Sequence, residues 1–154
     1  MHRFNERRFL PYTPRQLFDL VADIARYPEF LPWCLGARIG ARLNEGGAEV
    51  VVADLIVGTR FFRETFTSRV TLRPDAEPPA IEVAYVKGPM RHMENRWLFN
   101  PAEGGTTLEF DVAFEFRSAL LEKMMGGFFD DASRRMVAAF EKRALRLYGP
   151  IARA

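Results

Sequence analysis

Apolar and polar residues alternate through most of the chain, and the pattern changes to helical spacing in two places. Thr107–Arg117 has the clearest two-residue period. Leu108, Phe110, Val112, Phe114 and Phe116 fall on one face, and Glu109, Asp111, Glu115 and Arg117 on the other. Phe61–Leu72 repeats it with Phe62, Phe66, Val70 and Leu72 opposite Arg63, Thr65, Thr67, Arg69 and Thr71. Arg91–Phe99 places Met93, Asn95, Trp97 and Phe99 together. Shorter or looser segments, Arg3–Leu10, Ala37–Leu43 and Ile81–Val86, read as further strands. Glu49–Val57 is apolar except for Asp54, which predicts a strand buried on both faces or central in a sheet. Turns are predicted at Asn44–Gly47, at Gly58, around Pro74, Pro78 and Pro79, at Lys87–Pro89 and at Asn100–Gly105.

The first helical stretch follows Thr13-Pro14. Threonine suits the N-cap, and proline suits the first helical position, where its missing N–H costs nothing. Leu17, Phe18, Val21 and Ile24 then recur at helical spacing, and Asp23 is placed to cap a second short turn ending near Tyr27. Tyr27–Leu35 is a stiff apolar connector holding Pro28 and Pro32. The second helix begins after Ser118 and runs to about Tyr148, where Gly149-Pro150 stops it. Gly126-Gly127 interrupts it, so either the helix is weakened there or a separate turn precedes it. In both cases Met124–Phe129 is expected to be a movable lip.

Seven sequential strands with turn-length links predict a twisted antiparallel sheet, and the long helix is the one element large enough to cover it. Residues 1–150 are expected to form a single α+β domain with two short helices and a hydrophobic cavity between sheet and helix.

Composition narrows the chemistry. Of 154 residues, 14 are phenylalanine, against two tryptophans and four tyrosines, so the interior is wide and short of polar groups. The net charge is only +2, which gives no basic stripe for DNA. Cys34 is the one cysteine, which excludes a disulfide scaffold or a cysteine zinc site and fits a reducing, cytoplasmic setting. The two histidines, His2 and His92, are not at metal-binding spacing. His92 can approach Glu94 on its own strand, and the expected arrangement is a solvated pair. Cys34 is expected to be buried and inert, and Asp54 to pair with an arginine of a neighbouring strand. No metal site and no catalytic constellation is predicted.

The segment from Tyr12-Thr13-Pro14 through Tyr27-Pro28-Glu29-Phe30-Leu31-Pro32-Trp33-Cys34 closely resembles the opening signature of the coenzyme Q-binding START-like proteins. Gly88-Pro89, Trp97-Leu98-Phe99, Phe114-Glu115-Phe116, Ala138-Ala139-Phe140 and Arg143-Ala144 extend the resemblance over nearly the whole chain. Met90 stands where phenylalanine is expected. The resemblance implies a helix-grip fold with a lipid-sized cavity. It also implies binding of ubiquinone or a related polyprenyl lipid as ligand rather than cofactor, by a non-enzymatic carrier or chaperone supporting respiratory electron transfer.

With that resemblance, the expected cavity wall is Phe62, Phe66, Val83, Tyr85, Trp97, Phe99, Phe110, Val112, Met125, Phe128, Phe129 and Met136. Membrane contact is expected to be transient and peripheral at the inner membrane, with Phe30–Trp33 as one candidate contact and plain packing as its alternative. Two competing functions remain: a toxin-like block of ribosomal subunit association, which the family includes, and a polyketide cyclase-like enzyme of the same fold.

Overall fold

A computed structural model describes residues 1–150. The chain runs β1 (His2–Leu10), α1 (Pro14–Ala22), a 3₁₀ turn (Ile24–Glu29), then β2 (Cys34–Glu45), β3 (Ala48–Gly58), β4 (Arg63–Arg73) and β5 (Ala80–Lys87). It ends with β6 (Met90–Ala102), β7 (Gly105–Phe116) and α2 (Ala119–Tyr148). One seven-stranded sheet has the order β1-β7-β6-β5-β4-β3-β2, every pair antiparallel. Consecutive strands pair as neighbours, except that β1 crosses to pair with β7. The expected α+β helix grip is the observed fold.

The local causes are visible. Thr13 Oγ1 accepts from the Gln16 N–H at 3.1 Å, and the Gln16 side chain accepts from the Thr13 N–H at 2.9 Å, so both ends of a capping box hold α1. Gly46 and Gly47 take positive φ, +57° and +84°, as a two-residue hairpin turn requires. Ser118 Oγ accepts from the Leu121 N–H at 3.1 Å and starts α2.

Several expected boundaries need correction: β2 runs on through Asn44-Glu45, and β4 begins at Arg63 rather than Phe61. Asn100–Ala102 continues β6, and the turn is the pair Glu103-Gly104. Pro101 is tolerated because β6 outruns β5. The Phe99 N–H points to the β5 side and bonds Pro79 O at 2.9 Å; Pro101, two residues on, points its nitrogen the same way, beyond the end of β5. Nor is there a separate turn before Gly126-Gly127, since α2 is one helix of 30 residues passing through both glycines.

The apolar face of the sheet packs under α1, the 3₁₀ turn and α2. Val137, Phe140 and Ala144 of α2 are sealed from solvent. The Phe140 ring meets those of Tyr27, Phe30 and Trp97 at 5.4, 5.0 and 5.0 Å, edge-on in each case. Arg143 bonds Glu29 at 2.8 Å and lies over Phe30, tying α2 to the 3₁₀ turn. No helix among the described residues is long and apolar enough to cross a membrane.

Candidate functional site

The core is not filled completely. A cavity of about 160 Å³ remains between the sheet and α2. Every strand from β3 to β7 contributes to its wall, as do α1, the 3₁₀ turn, the connector to β2, and Phe129, Ala132, Ser133 and Met136 of α2. The alternation of each strand decides which residues reach it: Phe66, Ser68 and Val70 of β4, or Phe110, Val112 and Phe114 of β7. On α2 the spacing of three and four between Phe129, Ala132, Ser133 and Met136 keeps them on one face.

An apolar cavity of roughly 150 Å³ holds one benzene-sized ring, whereas pockets for whole drug-sized ligands are roughly 300–1,000 Å³. The lipid-sized cavity implied by the resemblance is therefore, in this structure, a ring-sized one. Its wall is nearly all hydrocarbon. Asn95 Nδ2 donates to Asp111 O at 2.9 Å, and its Oδ1 accepts from Trp97 Nε1 at 3.1 Å. Ser133 Oγ donates to Phe129 O at 2.8 Å, one turn back along α2. Among the described residues, the Ser68 hydroxyl, in a residue only 7% exposed, makes no such bond.

Among the described residues, two titratable groups line the cavity, Tyr27 and Cys34. Burial pushes the Tyr27 hydroxyl far toward its neutral form, with the nearby Cys34 and Asp23 acting in the same direction, and burial also raises the Cys34 thiol against a bond to Gly36. Tyr27 donates its hydroxyl proton to Val21 O, and the Cys34 thiol points to Gly36 O at 3.5 Å. Neither is placed as an acid, base or nucleophile.

On the side of α2 nearest the β3–β4 turn, three aromatic contacts close the cavity. Phe62 meets Phe128 at 5.0 Å, Phe128 meets Phe129 at 5.1 Å, and Phe129 meets Phe66 at 5.2 Å. Outside this closure lies a groove that includes Pro32, Leu35, Arg60, Arg63 and Phe128, and Trp33 and Ala132 border both spaces.

Of the expected wall residues, Phe66, Val83, Trp97, Phe110, Val112, Phe129 and Met136 surround the cavity, and five do not. Phe99 lies at the far end of the sheet against Phe18, with ring centres 5.5 Å apart. Met125 is buried one turn before Phe129, past the cavity's end. Tyr85 turns its hydroxyl to the Met90 N–H at 2.9 Å and so braces the β5–β6 turn. Phe62 and Phe128 form the outer closure. Met90, standing where phenylalanine was expected, is buried and does reach the cavity.

Other expectations resolve as follows. Asp54 lies on the outer face of the sheet and accepts from Thr67 Oγ1 at 2.6 Å, so its partner is a threonine of the adjacent strand, not an arginine. His92 and Glu94 are an exposed pair at 3.4 Å with nothing converging on them. Within Phe30–Trp33, Leu31 is buried and Phe30 packs on Tyr27 and Phe140, whereas Pro32 is exposed and lines the outer groove with Trp33. Among the described residues, no cluster of three His, Cys, Asp or Glu side chains is arranged to hold a metal.

Comparison with known proteins agrees with this architecture. Residues 10–141 match the family model described as polyketide cyclase / dehydrase and lipid transport. The ribosome association toxin RatA of Rickettsia prowazekii is 39% identical over 145 residues, covering 94% of this chain and 97% of that protein. The mitochondrial coenzyme Q-binding protein COQ10 homolog B of Xenopus laevis is 34% identical over 151 residues, covering 95% of this chain and 59% of the relative. The solution structure of an 18 kDa protein from Caulobacter crescentus superposes with a TM-score of 0.77 at 41% identity, covering 97% of this chain and all of that one. A family model spanning most of the chain, relatives of this identity and a seven-stranded sheet gripped by one long helix lead to one conclusion: the chain belongs to the polyketide cyclase / dehydrase and lipid transport family, with the START-like fold.

Proposed function

We propose that this chain binds ubiquinone or a related polyprenyl lipid without transforming it, and acts as a carrier or chaperone in support of respiratory electron transfer. The observation that carries the reading is the cavity itself: ring-sized, walled by hydrocarbon, and furnished with hydroxyls rather than with ionised groups. A quinone ring needs an apolar slot and one or two donors for its carbonyl oxygens. Ser68 supplies a donor that, among the described residues, has no backbone bond to give up. The tail then leaves through the Phe62–Phe128 closure, because the cavity has no room for it. A relative named for coenzyme Q binding supports the ligand class. Tyr27 and Cys34, both kept neutral by burial, support binding over turnover.

Protein purified from quinone-producing cells should carry extractable quinone in a fixed ratio, read by mass spectrometry. Ser68→Ala should weaken quinone binding about five- to tenfold, the worth of one hydrogen bond, while leaving the melting temperature nearly unchanged. Fluorescence quenching of Trp33 and Trp97 by an added quinone measures it. Protein without lipid and without quenching would sink the reading.

The identity to a ribosome association toxin favours one alternative, that the chain binds a ribosomal subunit and blocks joining. Sucrose-gradient profiles decide it. Loss of joined ribosomes on adding the quinone-free protein supports the alternative.

A further inference from the structure

The end of the sheet where β2, β4 and β6 begin carries a surface that the cavity does not explain. The β3–β4 turn holds Phe61 out in solvent, 83% exposed. Its backbone is fixed. The Thr59 N–H donates to Phe62 O, the Phe61 N–H to Thr59 Oγ1 and the Gly58 N–H to Trp33 O, each at 3.0 Å. A Cβ on Gly58 would lie 2.1 Å from Phe62 O, so the turn closes only over glycine. An aromatic ring is thus displayed by a built turn.

Leu120, Met124 and Phe128 recur every fourth residue and form one stripe on α2. Leu120 and Met124 are 66% and 59% exposed, and Phe128 brings the stripe to Phe62 at the groove. Leu35, at the start of β2, is exposed on the same groove.

Cations rim this apolar surface. The Arg60 guanidinium stands 5.3 Å from the Phe61 ring centre. Among the described residues, Arg60, Arg63 and Lys123 form no salt bridge, whereas Arg135 across the groove pairs with Asp131 at 3.4 Å. Of the acids at this end, Asp131 is held by Arg135, Glu122 by His2, Glu64 follows Arg63 on β4, and Glu115 shares a hollow with Arg91 at the end of β7.

We propose that this end of the molecule docks on an anionic phospholipid bilayer, with Phe61, Leu120 and Met124 entering the interface and Arg60, Arg63 and Lys123 at the phosphates. Apolar side chains inside a cationic rim fit a lipid surface, where each group finds its own layer. A nucleic acid would satisfy the cations but leave the leucine and methionine side chains without counterparts. The proposal deepens the lipid-binding reading and rests on it for its purpose. The groove beside Phe61 shares Trp33 and Ala132 with the cavity, so docking sets the closure against the membrane from which a tail is drawn.

Flotation with vesicles of phosphatidylcholine, with and without phosphatidylglycerol, tests it on the full chain. The unaltered protein should float with the anionic vesicles and lose binding as salt rises. Phe61→Ser should lower the partition by about tenfold, from the apolar area lost to the interface. Arg60→Glu combined with Arg63→Glu should lower it by more than about tenfold, since each cation near an anionic surface counts. Both variants should keep the parent's melting temperature, and Phe61→Ser, whose ring stands outside the groove lining, should also keep its extractable quinone. Failure of the parent to float, equal flotation of the variants, or binding of ribosomal subunits in place of vesicles through these same residues would overturn the proposal. Quinone without flotation defeats the docking surface alone; flotation without quinone defeats the lipid-carrier reading alone.

Discussion

Phe140→Ala is expected to destabilise the protein by about 3–5 kcal/mol, read as a fall in the urea midpoint at unchanged slope. Phe140 is 1% exposed, and its ring is the one that touches the 3₁₀ turn at Tyr27, the connector at Phe30 and the sheet at Trp97. Truncation removes the burial of a large ring and leaves a void that three rigid aromatics cannot refill. A loss below about 1.5 kcal/mol would mean that α2 settles onto the sheet and that the grip is softer than the ring contacts indicate.

Ala53→Leu is expected to do the opposite: little to stability and much to binding. Ala53 is 3% exposed on β3, and its methyl group borders the cavity. Leucine places three more carbons into a space of about 160 Å³ that already fits only a ring. Filling an existing hollow costs less than overpacking a dense core, so the urea stability should stay within about 1.5 kcal/mol of the parent. Quinone recovered from the purified variant should fall by more than tenfold. Undiminished quinone in a folded variant would place the ligand outside the cavity.

The sheet was legible from residue order because β4, β6 and β7 each bury one face, and a period of two is hard to disguise. Leu108 through Phe116 needed nothing beyond alternation. Strand ends were less legible. Pro101 reads as a turn residue, yet it sits in a strand because β5 stops short of it, and no local signal announces where a neighbour ends. The site was legible in part for a different reason. Large aromatics in the sequence reveal what fills a core, whereas a hollow is defined by side chains too small to reach across it. Ala53, Ser68, Ala132 and Ser133 shape the cavity and have no pattern of their own. Phe99 and Met125, both large and both expected in the wall, pack solidly elsewhere. The parity of β4 offered one usable signal: Ser68 falls between Phe66 and Val70 on the buried face, a hydroxyl where a hydrocarbon is the rule.

The unfilled cavity also gives the folded chain a volume it need not occupy. Unfolding lets water enter that space, so the unfolded protein and its solvent take up less room than the native state does. Hydrostatic pressure therefore pushes this fold toward unfolding by way of the hollow, in addition to the ordinary effect of pressure on folded proteins. On the proposed function, a quinone ring seated between the sheet and α2 would cancel that contribution, so that quinone would stiffen the chain against compression at the residues around the cavity rather than across the sheet that carries them.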